Sequence, residues 1–233
     1  MFNTGPSSPT ATGLILRTRP LTDTSLIVHW LAPDLGRIAT VALGARRPRS
    51  PLRGKLDLFY LAEFSFQRSR RSDLHTLREV VLRNPHASLR RDLAGLRQAT
   101  YCVMLLERAT ETETPLPGCY QLLTAFLDYL DRHEPCPGLV LGFEMQMLAD
   151  LGLAPDLSHS GLSATACAAL ARLRDGSLEA VLPLTLNASA LAEVAGFLAR
   201  ALVANFDRLP PNRAVALAAS PSSLTAAAPP SVG

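Results

Sequence analysis

Lysine is almost missing from this chain: Lys55 is the only one, and nearly all the cationic side chains are arginine. Arginine is the better fork for phosphate and stacks on flat rings, although a GC-rich genome raises arginine too, so the choice alone weighs little. Close cysteine pairs are missing as well. Cys102, Cys119, Cys136 and Cys167 lie far apart with no C-x-x-C spacing, so no metal site can be read from them. Cys102, inside "YCVMLL", reads as a buried thiol serving as a small apolar residue. The signatures H-E-x-x-H, G-x-S-x-G, G-x-x-x-x-G-K-[ST] and G-x-G-x-x-G are absent, which removes the metalloprotease, hydrolase, P-loop and dinucleotide readings. His159 with Cys167 suggests a thiol nucleophile and base or half a metal site, but nothing else in the sequence joins them. The leader "MFNTGPSSPT" has neither a basic n-region nor an apolar h-region, and no apolar run approaches the roughly 18 residues of a membrane span. These absences predict a cytoplasmic, non-enzymatic chain with reduced thiols, no cofactor, no membrane and no small-molecule substrate.

What is present is a globular balance: 233 residues, 48% hydrophobic and 18% charged, enough to bury roughly 70% of the unfolded surface. The net charge of +3 hides an asymmetry. Residues 1–100 hold sixteen of the twenty-three Lys and Arg against seven acids, and the remainder holds seven against thirteen. The two halves are therefore expected to meet different partners.

The sequence predicts an α+β chain. A flexible arm is expected over 1–12, a barrel over 13–83, helices over 84–213, and over 214–233 an uncharged Ala/Ser/Pro tail that is disordered or a fraying helix end. Five β-type runs, "GLILRTR", "TSLIVHWLA", "GRIATVAL", "LDLFYLAEFSFQ" and "DLHTLREVV", are bounded by turn residues. In the fourth, Leu58, Tyr60, Ala62, Phe64 and Phe66 share one face. Five short strands fit an OB-fold barrel, although small SH3-like barrels give a similar string. The period then changes to about 3.6. Helices are predicted from Pro85 to Arg108 and over "CYQLLTAFLDYLDRH", "LVLGFEMQMLADLG", "SATACAALARLRDG" and "SALAEVAGFLARALVANF". The third is most simply a core helix. Asn187 with Ser189 is a chance glycosylation sequon in a cytoplasmic reading.

The segment "GARRPRSPLRGK" raises the functional question. It holds Arg46, Arg47, Arg49, Arg53 and Lys55 between two strands, with Pro48 and Pro51 stiffening it. A long, stiff, cationic loop suits phosphate contacts, because each arginine can bond a phosphate and release a counterion. The plain alternative is a solvated loop that keeps the chain soluble. Arg68, Arg70 and Arg71 in a second turn favour the first reading, and Arg78, Arg83, Arg90, Arg91 and Arg97 extend the charge. Arg90 and Arg91 fit either a DNA path or a solvated helix face. The aromatics Trp30, Phe59, Tyr60, Phe64 and Phe66 mostly share parity with core positions, which points to backbone-driven binding with little sequence preference.

Residues 18–59 resemble the RecO family of bacterial recombinational DNA repair mediators. The resemblance rests on the R-P-x-x-[DE]-[TS]-S pattern from Arg19 to Ser25, the Gly36–Arg37 turn, "GARRPRS", and Gly54, Lys55 and Leu56. "FEMQMLADLGLAPDL" is similar to the family's central helix and the Leu-Gly that ends it. The resemblance implies an N-terminal five-stranded OB-fold barrel and an all-helical C-terminal domain. It also implies binding to single- and double-stranded DNA, annealing of strands coated with single-strand-binding protein, and loading of recombinase with RecR, with nucleoid association during repair. The family's DNA-contacting basic residues fall on Arg37, Arg46, Arg47, Arg49, Arg53 and Lys55, and Arg68, Arg70 and Arg71 join them as candidates. Many members carry a four-cysteine zinc module after the Leu-Gly helix. Here that region is "DLSHSGLSATACAAL", with Cys167 its only cysteine, so no zinc is expected. The competing reading is a protein-interaction adaptor whose arginine loop takes an acidic peptide, such as the tail of a single-strand-binding protein, without touching DNA.

Overall fold

The computed structural model describes residues 9–157, 160–176, 178 and 186–218. Five strands come first: β1 (Thr10–Pro20), β2 (Leu26–Ala32), β3 (Gly36–Ala42), β4 (Leu61–Gln67) and β5 (Leu74–Asn84). They close in the order β1-β2-β3-β5-β4, with β3 and β5 parallel, β4 pairing with β1 and all other neighbours antiparallel. This is an OB-fold barrel. Strict alternation of buried and half-exposed positions along β3 shows why the sequence folds here, since every second side chain enters the barrel. Trp30 fills its centre, stacked on Phe64 at 4.0 Å between ring centroids, and its indole N–H donates to Thr40 Oγ1 at 2.8 Å. That bond satisfies two buried polar groups at once.

A 3-10 turn (Leu89–Arg91) leads to α1 (Leu93–Ala109), α2 (Pro117–Arg132), α3 (Pro137–Asp150), α4 (Ala164–Asp175), α5 (Ala188–Phe206) and α6 (Arg213–Leu217). α3 is the central helix, buried on nearly every side through Leu139, Val140, Leu141, Phe143, Met145, Met147 and Leu148. The barrel is fused to this helical part: Leu14, Leu16, Leu31 and Phe59 share one apolar cluster with α1, α2 and α3.

Several boundaries differ from the sequence reading for identifiable reasons. β1 begins at Thr10, where it pairs with Ser65 of β4, so Thr10–Thr12 belong to the sheet; residues 1–8 of the expected arm lie outside the described residues. The fourth strand begins at Leu61 rather than Leu56, because Phe59 takes φ +64° and turns into the helical core. Leu58 is left exposed and the parity of that limb is broken. The first helix starts at Leu93 rather than Pro85. His86 has φ +43°, and Asp92 is extended and accepts from Ala94 N at 2.9 Å and Gly95 N at 3.1 Å, a side-chain N-cap that fixes the start.

α6 carries the helical part past 213 into the stretch expected to be disordered or a fraying helix end, with 214–217 helical; 219–233 lie outside the described residues, as does His159. Asn187 of the sequon is the N-cap of α5, accepting from Ala190 N at 2.8 Å. Contrary to the reading that no apolar run approaches membrane-span length, α5 is, at 19 residues, long and apolar enough by length and composition to cross a membrane. It carries Glu193 and Arg200, and Ala190, Val194, Leu198 and Leu202 form a buried stripe on the side packed against α3 and α4.

Candidate nucleic-acid interface

Residues 43–60 connect β3 to β4, and three sets of contacts fix them. On the outgoing limb, Gly44 N donates to Ser25 Oγ at 3.2 Å and Arg46 N to Thr24 O at 2.9 Å. Ser25 is itself buried, and its backbone closes the β1–β2 turn by donating to Thr22 Oγ1 at 3.1 Å and accepting from Leu21 N at 3.0 Å. In the middle, Ala45 and Leu52 are buried in the barrel core. Successive turns through Arg47, Ser50 and Leu52 stiffen the rest: Ser50 N donates to Arg47 O at 3.1 Å, Arg53 N to Ser50 O at 3.2 Å and Lys55 N to Leu52 O at 3.2 Å. On the return limb, Phe59 N donates to Ile15 O at 2.8 Å.

Arg46, Arg47, Arg49 and Arg53 project from this platform into solvent and Lys55 is half-exposed. None of the five pairs with a carboxylate among the described residues; Arg53 donates to Pro48 O at 3.1 Å. Five cations without carboxylate partners on one ordered loop make a locally positive surface.

The other candidates are not gathered with them. β3 runs from Gly36 to Ala42, so Arg37 stands at the end of the strand away from the loop. It is half-buried, and its guanidinium donates to Thr110 O after α1, while its carbonyl accepts from Glu113 N at 2.9 Å. Burial lowers its affinity for the proton. Gly36 before it has φ +66°, and a side chain there would meet Thr114 O at 2.0 Å, so the Gly–Arg turn lets the 110–114 segment lie against the barrel. The parallel pairing of Ala39 with Leu74 puts the β4–β5 turn at this same end. There Arg68 pairs with Glu113 at 3.4 Å, and Glu113 also meets His75 Nε2 at 3.0 Å. Arg70 and Arg71 are exposed. Of the cations that extended the charge, Arg83 pairs with Glu63, Arg78 bonds Gln67, and Arg90 bonds Asp57.

Sequence reasoning missed the strip between the two groups. Arg17 and Arg19 of β1 face outward, Arg17 beside His29 and Arg19 beside Ile27 in the ladder to β2, and Arg19 Nη2 is 3.2 Å from His29 Nε2. Burial, with Arg17, Arg19 and Arg37 around it, holds the His29 pKa down to about 4. Burial is the larger cause and the three arginines add to it, although Arg17 is itself paired with Glu107 at 3.2 Å. The register shift between Ile15 and Arg17 hid the strip, because it buries Leu14, Ile15 and Leu16 in succession and breaks the parity that would have marked Arg17 as outward. The aromatics stay inside: Trp30, Phe59, Phe64 and Phe66 are buried, and Tyr60 is half-buried under Arg90.

The chain matches the family model described as Recombination protein O N terminal over residues 8–86 and that described as Recombination protein O C terminal over residues 90–166. The chain belongs to the RecO family. It is similar to the DNA repair protein RecO of Bacillus subtilis (strain 168), 30% identical over 147 residues that cover 63% of this chain and 57% of that protein. It is 31% identical over 146 residues to that of Anaeromyxobacter sp. (strain K), covering 63% and 58%. The corresponding match in Listeria monocytogenes serotype 4b (strain CLIP80459) is 31% over 150 residues, covering 64% and 58%. The matches thus span less than two thirds of these relatives' own length. α5 and α6 lie beyond both matched ranges.

Cys167 is the one cysteine of the segment "DLSHSGLSATACAAL". Cys167 is half-buried on α4 with its Sγ 3.7 Å from Ser160 Oγ. Cys102 and Cys119 are buried in the helical core, where burial pushes both thiols up, Cys119 to about 11. Among the described residues no group of three His, Cys, Asp or Glu side chains could hold a metal.

Proposed function

We propose that this RecO-family chain is a non-catalytic DNA repair and recombination mediator whose barrel grips the phosphate backbone. The observation that carries the reading is the fixed loop with five carboxylate-free cations, Arg46, Arg47, Arg49, Arg53 and Lys55. Arg19, Arg37, Arg70 and Arg71 extend the cations along the barrel, with Arg17 and Arg68 among them already paired to Glu107 and Glu113, a path along which either a single strand or a duplex backbone can lie. Because the rings are buried, affinity comes from phosphates and carries little base preference. Neutralising two polyanionic strands on one surface lowers their repulsion, which is the physical requirement for annealing. RecR and single-strand-binding protein are the protein partners this reading entails, with the acidic helical half available to them. No covalent step is required.

The test is oligonucleotide binding by fluorescence anisotropy across a salt series. Replacing Arg46, Arg47 and Arg49 together by Ala is expected to weaken binding and to flatten the log K against log salt slope by about two, roughly 0.7 per lost contact on single strands. Unchanged affinity would remove the loop from the interface.

One observation favours the adaptor reading as a second. The acidic segment 111–114 already lies on the barrel as a short parallel bridge, Thr112 beside Arg37, with Glu113 on Arg68. That end of β3 is thereby occupied; in the adaptor reading the arginine loop at the other end takes a partner's acidic peptide as Arg37 and Arg68 take this segment. Capture of single-strand-binding protein that survives nuclease treatment, together with no oligonucleotide binding at low salt, would select it.

A further inference from the structure

Arg90 was the cation whose role the sequence left open between a DNA path and a solvated helix face. Its surroundings give a third role. Arg90 Nη1 donates to Asp57 Oδ2 at 2.8 Å, Nη2 donates to Leu58 O at 2.9 Å, and the guanidinium carbon lies 4.6 Å from the centroid of the Tyr60 ring. The other oxygen of Asp57 accepts from Leu58 N at 2.8 Å, so one carboxylate ties the return limb to itself and to Arg90. An isolated exposed ion pair would contribute little. Here a carboxylate, a backbone carbonyl and a ring face converge on one guanidinium, which reaches the loop from a side chain that is still about a third exposed.

The limb it holds is the one that needs holding. Phe59 has φ +64°, a conformation a bulky side chain adopts only when its surroundings impose it. Its carbonyl is 2.6 Å from Nδ1 of buried His86, whose Nε2 is 3.1 Å from Asp128 Oδ1 of α2. The outgoing limb hangs on Ser25 and Thr24, the centre on Leu52, and the return limb on Arg90 and His86. Arg53 and Lys55 lie between the last two anchors.

We infer that Arg90 is a positioning residue for the phosphate-binding loop: through Asp57, Leu58 and Tyr60 it keeps Lys55 and Arg53 pre-set for a polyanion and does not itself contact phosphate. The inference rests on the DNA-binding reading. It separates from simple electrostatics through sign. Asp57 is an acid beside a cationic loop, so Asp57→Asn should tighten DNA binding if only charge matters. As the anchor of Arg90 it should weaken binding.

The experiment compares wild type, R90A, R90K, D57N and the control D23N. Asp23 is an exposed acid in the adjacent β1–β2 turn. Anisotropy salt series with a labelled single strand are read beside amide hydrogen exchange at residues 57–60, and thermal melts verify folding. R90A, R90K and D57N are each expected to weaken binding about three- to tenfold, as freed side chains must be re-ordered on binding, with salt slopes unchanged and faster exchange at 57–60. D23N should bind as well as wild type or better. A slope lower by roughly 0.7 in R90A but retained in R90K would make Arg90 a direct contact and overturn the inference, and so would tighter binding by D57N. Should R90A fail to fold, R90K and D57N decide. If the wild type binds no DNA at low salt the functional reading fails and this role with it, while faster exchange in R90K and D57N would still report the clamp as a structural feature.

Discussion

Glu144 has no exposed surface, and a carboxylate there is stable only if its charge is matched. Arg213 matches it with two bonds of 2.7 and 2.8 Å, and its third donates to Ala195 O at 2.9 Å. Tyr101 adds its hydroxyl, and burial beside Glu144 pushes that phenol's pKa up. Arg213→Ala would leave a buried charge alone, at a cost of about 3–5 kcal/mol, whereas an exposed Arg200→Ala should cost almost nothing; chemical denaturation of both variants checks this. His29 is the second residue with a decisive environment. Its pKa is lowered from 6.5 to about 4, so the unfolded chain holds its proton more tightly than the fold does. Its contribution to stability is therefore complete above about pH 6.5 and falls as pH drops towards 4. His29→Gln is expected to melt with a shallower pH dependence across that window. A phosphate seated by Arg17 and Arg19 would offset the arginines' part of the shift and leave the part due to burial, so NMR titration of the imidazole should show its pKa rising when an oligonucleotide is added; no movement would exclude this face from the DNA path.

At the scale of elements, the sequence was legible where packing agrees with local pattern. β3 alternates throughout, and α2 and α3 fall where the 3.6-residue period placed them, over "CYQLLTAFLDYLDRH" and "LVLGFEMQMLADLG". It was illegible where a distant element overrides the pattern. Residues 56–60 alternate like a strand, yet Phe59 leaves the barrel because the apolar pocket under α1 and α2 takes it. Likewise α6 carries neither a strong period nor length, and distant partners hold it in place: Glu144 and Ala195 O on Arg213, the Gln98 amide donating to Ala216 O at 3.1 Å, and the helical core around buried Ala216. None of these partners can be found by reading residues 210–218. The same reasoning gives a stability expectation for the loop. Ser25→Ala would strip the acceptor from Gly44 N–H in a part-buried turn, at about 1–2 kcal/mol, and should loosen exchange at 44–46 before that at 57–60, because the two limbs have separate anchors.

For the molecule as a whole, the charge asymmetry of the sequence becomes a contact. The first hundred residues are cationic and the rest acidic, and the acidic segment after α1 folds back so that Glu113 sits on Arg68 while Glu107 of α1 meets Arg17 at 3.2 Å. The sequence pointed to the loop because five of its cations fall within ten residues, Arg46 to Lys55. It could not separate Arg37, which the 110–114 segment engages, from the loop residues a strand's length away, nor reveal that Arg68 is already paired. A polyanion running along the barrel would therefore compete with Glu107 and Glu113 for arginines they already hold, whereas the loop cations at the other end have no carboxylate partner among the described residues. Glu113→Gln removes that competitor while keeping a side-chain carbonyl for His75, so Arg68 becomes available and the salt slope for single-strand binding should steepen by roughly 0.7, with tighter binding at low salt. The same change combined with Arg68→Ala should return the slope to the wild-type value. If Glu113→Gln leaves slope and affinity untouched, DNA ends before Arg68 and the interface is the loop and the β1–β2 strip alone.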